Sequence, residues 1–241
     1  MPELRKRISE GVSSSYGKLL DTTFPARCVT CHKEGSFICD ACQKTTRIIG
    51  ERCCQLCGEP VSFGGSLCNQ CERAPLEIGG IRSIYYYEGA VKDAILQLKF
   101  HGLKSIVPLL GSHMSAYMSG NQLDADFIVP VPSHSKRIRE RGYNQAELLA
   151  RALASISGIS VEAKTLRRIK LVRPQSSSSS REERRTNVID TFVCSGEGVS
   201  GKRVLLVDDV CTTGYTLEAC SRELRTACAA EVRALTVARE A

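Results

Sequence analysis

Residues 203 to 216, Arg-Val-Leu-Leu-Val-Asp-Asp-Val-Cys-Thr-Thr-Gly-Tyr-Thr, place two adjacent carboxylates, Asp208 and Asp209, just before a turn of hydroxyl and glycine residues. Cys211, Thr212, Thr213, Gly214, Tyr215 and Thr216 bring backbone N–H groups, hydroxyl donors and the positive end of a following helix into one small volume, which suits a phosphate dianion. Gly214 lets the chain lie close to such a ligand or turn through a left-handed conformation. Paired acids beside an anion site repel the anion unless something separates them. A sugar phosphate does so: its vicinal hydroxyls donate to Asp208 and Asp209 while its phosphate fills the Thr/Gly turn. The alternative is a plain strand-to-helix turn capped by Thr212 or Thr213, which accounts for the hydroxyls but not for the acid pair. No Gly-x4-Gly-Lys-Ser/Thr occurs, and no Gly-x-Gly-x-x-Gly leads from a strand into a helix, which excludes the two common nucleotide loops.

The elements that must position this turn follow from periodicity. Residues 204–207 are apolar without interruption, as in a strand buried on both faces of a parallel sheet, and 217–224 take helical spacing. The acids therefore fall at the carboxyl end of a strand, where open α/β sheets bind ligands. Upstream, 81–87 reads as a strand and 90–100 as a helix closed by Gly102. A second helix spans 108–118. Residues 127–132 form a strand that leaves the core at Pro130 and Pro132, which cannot donate ladder hydrogen bonds, and a helix follows over 146–156. Between them, 133–145 is basic and polar. Ser133, Lys136 and backbone donors there suit a pyrophosphate, with Arg139, Arg141 and Asn144 reaching inward; the competing reading is a solvated, basic helix start.

Thirteen cysteines are many for an intracellular chain, and nine lie between Cys28 and Cys71. Cys28/Cys31, Cys39/Cys42, Cys54/Cys57 and Cys68/Cys71 are Cys-x-x-Cys pairs, and two pairs make a tetrahedral thiolate set for Zn²⁺. Two structural zinc ions follow if pairs combine in sequence order; a crossed combination stays open. Gly58 after Cys57 favours Cys54 over Cys53 as the ligand, and His32 reads as a bystander. A disulfide framework would need an oxidising compartment, whereas the chain opens Met-Pro-Glu-Leu-Arg-Lys-Arg without a secretory apolar core. Cys194, Cys211, Cys220 and Cys228 are scattered and read as packing residues or free thiols.

The formal charge of +7 falls to about +3 if eight thiolates hold two Zn²⁺, so net charge argues little for nucleic acid. Its distribution says more, because 164–185 carries eight Lys or Arg against Glu182 and Glu183. Such a cluster attracts pyrophosphate or a nucleic-acid backbone. No apolar run reaches the roughly 18 residues of a membrane helix, and the chain reads as cytoplasmic.

The 203–216 segment resembles the 5-phosphoribosyl 1-pyrophosphate (PRPP) signature of type I phosphoribosyltransferases: an apolar strand, two acids and a Thr/Gly loop. Pro130-Val-Pro132 with Arg141-Gly-Tyr-Asn-Gln145, Lys99-Phe-His-Gly102, and Gln175, Arg184 and Asn187 extend the likeness. Together with the cysteine pairs they resemble the ComF/GntX-type family of competence-associated, phosphoribosyltransferase-like proteins, over nearly the whole chain from Phe24. The departure is at 176–180, where five serines replace a mixed stretch in the region of the family's mobile lid.

The resemblance implies an α/β fold, a type I phosphoribosyltransferase-like parallel sheet with flanking helices over 76–241, preceded by a small double zinc ribbon over 24–75 and a helix or tail over 1–23. It implies Mg²⁺-assisted transfer of 5-phosphoribosyl from PRPP to an unknown nitrogenous acceptor with release of pyrophosphate, linked to DNA uptake. Asp208, Asp209, Arg141 and Arg168 would act in catalysis, residues 211–216 would hold the 5-phosphate, and Ser133, Lys136 and Arg139 the pyrophosphate. The other reading is a non-catalytic, PRPP-regulated protein of the competence machinery that binds single-stranded DNA or acts as a scaffold.

Overall fold

The computed structural model describes residues 26–61, 66–169, 192–195 and 197–240. The anticipated helix or tail over 1–23, the serine run at 176–180, and Lys170, Arg173, Gln175, Arg181, Arg184, Arg185 and Asn187 lie outside these residues. The architecture is a parallel α/β sheet joined to two cysteine-rich ribbons. Two short helices, α1 (Asp40–Thr45) and α2 (Asn69–Arg73), each follow a cysteine of their ribbon. Then come β1 (Ile81–Tyr86), α3 (Gly89–Phe100), α4 (Val107–Gly120), β2 (Phe127–Pro130), α5 (Ser135–Arg141), α6 (Gln145–Ser157) and β3 (Ser160–Val161). β4 (Leu166–Arg168) and β5 (Phe192–Cys194) form a separate antiparallel pair, and β6 (Arg203–Cys211), α7 (Tyr215–Thr226) and β7 (Glu231–Arg239) complete the chain.

The main sheet has the order β1-β7-β6-β2-β3, all parallel. From β2 the chain moves outward to β3, then returns to place β6 on the other side of β2. The order thus reverses between β2 and β6, and a crevice opens at their carboxyl ends. The loops that leave β2 and β6 face each other across it.

Alternation along β6 assigns its side chains to two layers. Leu205 and Val207 join Ala94, Leu98, Leu110, Met114, Leu149 and Leu153 on the face covered by α3, α4 and α6. Val204 and Leu206 join Leu217, Cys220 and Leu224 of α7 on the opposite face. That second layer is completed by the ribbon: Cys54, Cys57, Cys71, Leu76 and Ile78 pack into it where a further helix would otherwise lie. The outer edge of β1 is also covered, since Ile49 N donates to Ile84 O at 2.9 Å and Tyr86 N to Arg47 O at 3.1 Å. A paired edge is closed to strand addition by another chain.

Three sequence-based bounds change. β6 runs four residues past Val207, through both acids to Cys211, because β7 is long enough to keep pairing: Asp208 meets Thr236 and Cys211 meets Arg239. The 133–145 stretch is not a plain loop; His134 Nδ1 accepts from Lys136 N at 3.1 Å and starts α5. β2 ends at Pro130 instead of Pro132.

Candidate functional site

α7 begins without a side-chain cap. Its N-cap residue is Gly214, at φ +80°, and neither Thr212 nor Thr213 caps the helix. Both threonines are exposed instead. The first-turn N–H groups of α7 are therefore left for an outside acceptor, and the helix dipole adds a positive field there. A β-carbon at 214 would strain the backbone and lie 2.9 Å from Ile81 Cδ1, so glycine is required on two counts.

The acids stand at the carboxyl end of β6, and the strand's alternation turns them to opposite faces. Asp209 is buried on the α3 side, where Lys99 Nζ lies 2.7 Å from its Oδ1. Asp208 lies on the α7 side, and its Oδ1 accepts from Asp209 N at 2.8 Å. Desolvation first, and the neighbouring Asp209 charge second, push the Asp208 carboxyl up to about 7, against the pull of Lys99 and Arg137. A molecule seated at the strand end meets one carboxylate from each face.

The cations anticipated around the acids are distributed unevenly. Arg168, at the end of β4, is close enough for Asp208 and Arg137 to influence its acidity; burial and then Arg137 lower it. Its guanidinium sits 5.5 Å from the centre of the Phe192 ring. Arg141 turns to Gln145, whose amide oxygen, in the orientation that satisfies both groups, accepts from it, and it lies 5.0 Å from the Phe100 ring. Lys136 and Arg139 are exposed on α5, with Lys136 Nζ 3.9 Å from Glu140 Oε1. Ser133 Oγ donates to Asn144 Oδ1 at 2.8 Å, while Asn144 caps α6 and donates to Val131 O at 2.9 Å. Ser133 and Asn144 therefore brace the turn after β2 on which α5 stands.

Tyr143 packs: its hydroxyl donates to Leu98 O, and Lys104 Nζ covers its ring at 4.4 Å. Tyr215 accepts from Gln70 Nε2 at 3.2 Å. Cys211 points into the core, 2 % exposed, where burial pushes its thiol up to about 11; it offers the loop only its backbone. In the sequence Lys99 stands out only as part of a motif, and Arg137 is one cation of the basic 133–145 stretch with no role of its own. Only their place in the fold marks them: Lys99 lies at the end of α3 beside β6, and Arg137 in the first turn of α5.

In each ribbon four sulfurs gather. The Sγ atoms of Cys28, Cys31, Cys39 and Cys42 lie within 4.8 Å of one another, and so do those of Cys54, Cys57, Cys68 and Cys71. Pairs therefore combine in sequence order. Cys31 Sγ and Cys39 Sγ are 3.5 Å apart, as are those of Cys57 and Cys68. Four thiolates about 2.3 Å from one Zn²⁺ have edges near 3.8 Å, against about 2.05 Å for a disulfide, so both sets fit Zn²⁺. All described cysteines are free. Burial opposes ionisation of Cys28, but N–H donors from Cys31, Cys39 and Thr30 outweigh it and bring that thiol down to about 6. Gly58, at φ +74°, turns the second knuckle where a β-carbon would meet Ile81 O at 2.5 Å. Cys53 stays outside the cluster, and His32 is exposed.

Comparisons with known proteins match these parts. Residues 19–72 fit the family model of the double zinc ribbon domain, and 138–241 that of the phosphoribosyl transferase domain. Competence protein ComFC of Bacillus subtilis is 32 % identical over 77 % of this chain and 76 % of its own length. DNA utilization protein YhgH of Salmonella typhimurium is 30 % identical over 81 % of this chain and 88 % of its own. A glutamine PRPP amidotransferase from Bacillus subtilis, solved with ADP and GMP, overlaps 55 % of this chain and 26 % of its own at 25 % identity and a TM-score of 0.38. Among the described residues no helix is long and apolar enough to cross a membrane. With a ribbon that holds two thiolate cages and a sheet that ends in paired acids before an uncapped helix, the chain belongs to the ComFC/YhgH family of competence and DNA utilization proteins.

Proposed function

We propose that the crevice between β2 and β6 binds PRPP and transfers its 5-phosphoribosyl group to a nitrogenous acceptor with release of pyrophosphate. The observation that carries this reading is the uncapped start of α7 at Gly214, with exposed Thr212 and Thr213 beside two carboxylates that face opposite ways. An anion site alone leaves the acids unexplained, and a cation site alone leaves the free N–H groups unexplained. A pentose phosphate satisfies both.

The 5-phosphate takes the N–H groups and hydroxyls of 212–216. The ribose hydroxyls donate to Asp208 and Asp209, and Lys99 orients Asp209 through its 2.7 Å contact. As the bond from C1 to the diphosphate oxygen breaks and the bond to the acceptor nitrogen forms, positive charge grows on the ring. The two carboxylates lie where they stabilise it. The departing diphosphate carries the electron pair toward Arg168 and the α5 side of the crevice, which bears Arg137, Lys136, Arg139 and Arg141, with Ser133 at its base. The acceptor's proton goes to solvent or to the diphosphate. Hard carboxylate oxygens of Asp208 and Asp209 are the donors Mg²⁺ prefers, and Mg²⁺ brought with PRPP would supply neutralisation of the diphosphate charge. The relatives' names, competence protein and DNA utilization protein, support a role for this chemistry in the handling of DNA.

Release of pyrophosphate from PRPP across a panel of purine, pyrimidine and amine acceptors tests the transfer, with Asp208→Asn and Asp209→Asn as controls. Release above the rate of uncatalysed hydrolysis, lost in both variants, is the expected result. Binding of PRPP without release from any acceptor would leave a binding protein and refute the transfer.

A further inference from the structure

The last residue of β7 is an arginine sunk to 4 % exposure. Arg239 Nη1 donates to the Cys57 carbonyl at 2.8 Å and lies 3.2 Å from Cys211 Sγ; Nε donates to Glu59 Oε2 at 3.2 Å. One guanidinium thus holds a cysteine of the second sulfur cage, the carboxylate two residues beyond it, and the residue that opens the Thr/Gly turn. The tie is doubled on the backbone, where Glu240 N donates to Cys211 O at 2.9 Å. It is repeated at the start of α7: Gln70 of α2, inside the second ribbon, donates to Tyr215. Glu218 Oε1 and Oε2 accept from Glu77 N and Ile78 N at 2.9 and 3.1 Å. Between the two parts lies a cleft of about 450 Å³ lined by Cys57, Glu59, Gln70, Thr212, Thr213 and Arg239. The first ribbon is placed differently, with Val29, Phe37, Ile38 and Cys42 against the layer of α3 and α4.

We propose that Arg239 is a positioning residue that makes the second cysteine cage one wall of the sugar-phosphate turn, so that metal in the Cys54/Cys57/Cys68/Cys71 set and ligand at 212–216 bind cooperatively, while the first cage is independent. This rests on the reading of 212–216 as a sugar-phosphate site. The physical cause is the buried charge. A guanidinium out of water needs its acceptors held in place, and two of them, the Cys57 carbonyl and Glu59, keep their geometry only while the knuckle is closed around its metal. If the knuckle opens, Arg239 must follow an acceptor or lie unpaired, and Cys211 moves with either course. Linkage makes the effect reciprocal: ligand in the turn holds the knuckle shut.

The experiment follows zinc release from the full-length, zinc-loaded chain to a chromophoric chelator, with and without saturating PRPP and Mg²⁺. Titration calorimetry runs alongside. Cys31→Ser removes the first cage and assigns the remaining phase to the second. PRPP is expected to slow the second-cage phase by about fivefold or more and leave the first unchanged. Arg239→Lys, which keeps charge and loses the fork, should speed the second phase to a similar degree and weaken PRPP binding about tenfold. Glu59→Gln, a milder change at the rim, should move both in the same direction and covers the case in which Arg239→Lys does not fold. PRPP that binds calorimetrically yet leaves both phases unchanged overturns the coupling alone. Wild-type protein that takes up no PRPP overturns the site and the coupling together.

Discussion

Asp208→Asn should stabilise the protein, by an amount that grows with pH. Burial and the Asp209 charge raise the Asp208 carboxyl from the ordinary 3.8 to about 7 in the folded chain, with Lys99 and Arg137 pulling the other way. A folded acid whose pKa is raised holds its proton where the unfolded chain has lost it, so stability falls as pH rises between these two values and levels off above the higher one. At about 1.4 kcal/mol per tenfold change in ionisation, the ceiling is about 4 kcal/mol above pH 7. Asp208 keeps part of its surface in contact with solvent, and screening there reduces the effect to about 1–2 kcal/mol. Asn is uncharged, and its Oδ1 still accepts from Asp209 N, so the penalty goes without loss of the local hydrogen bond. Thermal melts of wild type and variant at matched ionic strength should differ by roughly 2–8 °C at pH 8. Near pH 5.5 the gap should be about half as large, since half of the interval between the two pKa values has been crossed. A variant less stable than wild type at pH 8, or a gap independent of pH, would refute the account of the acid pair.

Lys99→Met leaves the Asp209 carboxylate buried without its 2.7 Å partner, and urea denaturation should register a loss of about 3–5 kcal/mol; a loss below 1 kcal/mol would mean that water already serves Asp209. Gly214→Ala meets a backbone at φ +80° and Ile81 Cδ1 at 2.9 Å, so it should cost about 1–3 kcal/mol in stability and abolish PRPP binding while the fold persists. Wild-type affinity in that variant would remove the turn from the site. Exhaustive chelation should release two zinc ions per chain and collapse the ribbons, because each structural site contributes on the order of 10 kcal/mol of folding free energy. Release of one ion, or retention of ribbon structure in the metal-free chain, would contradict the paired cages.

Much of this was readable from residue types. The Cys-x-x-Cys spacing and Gly58 marked the eight ligands and set Cys53 aside, because metal geometry tolerates few arrangements, while the folded chain decided which pairs share a cage. The apolar run before Asp208 marked a buried parallel strand. What escaped depended on contacts between distant segments. β6 continues through the acids only because β7, some twenty residues later, is long enough to pair with it, and that extension turns Asp208 and Asp209 to opposite faces. Lys99 and Arg137 carry no local signature, since a lysine at a helix end and an arginine in a basic turn are ordinary surface residues until the crossover of α3 and the β2 turn bring them to β6. Ser133 and Asn144 look like ligand donors in sequence, and the folded turn binds them to each other. Arg239 gave no sign at all; its partners lie 28 and 180 residues away in sequence.

Titration calorimetry of PRPP into the zinc-loaded chain, with and without Mg²⁺, tests the central claim most directly. Saturable one-to-one binding that strengthens with Mg²⁺ and is lost in Asp209→Asn and Gly214→Ala is the expected result. Heats no larger than dilution at millimolar PRPP, in protein whose two cages are full, would contradict it.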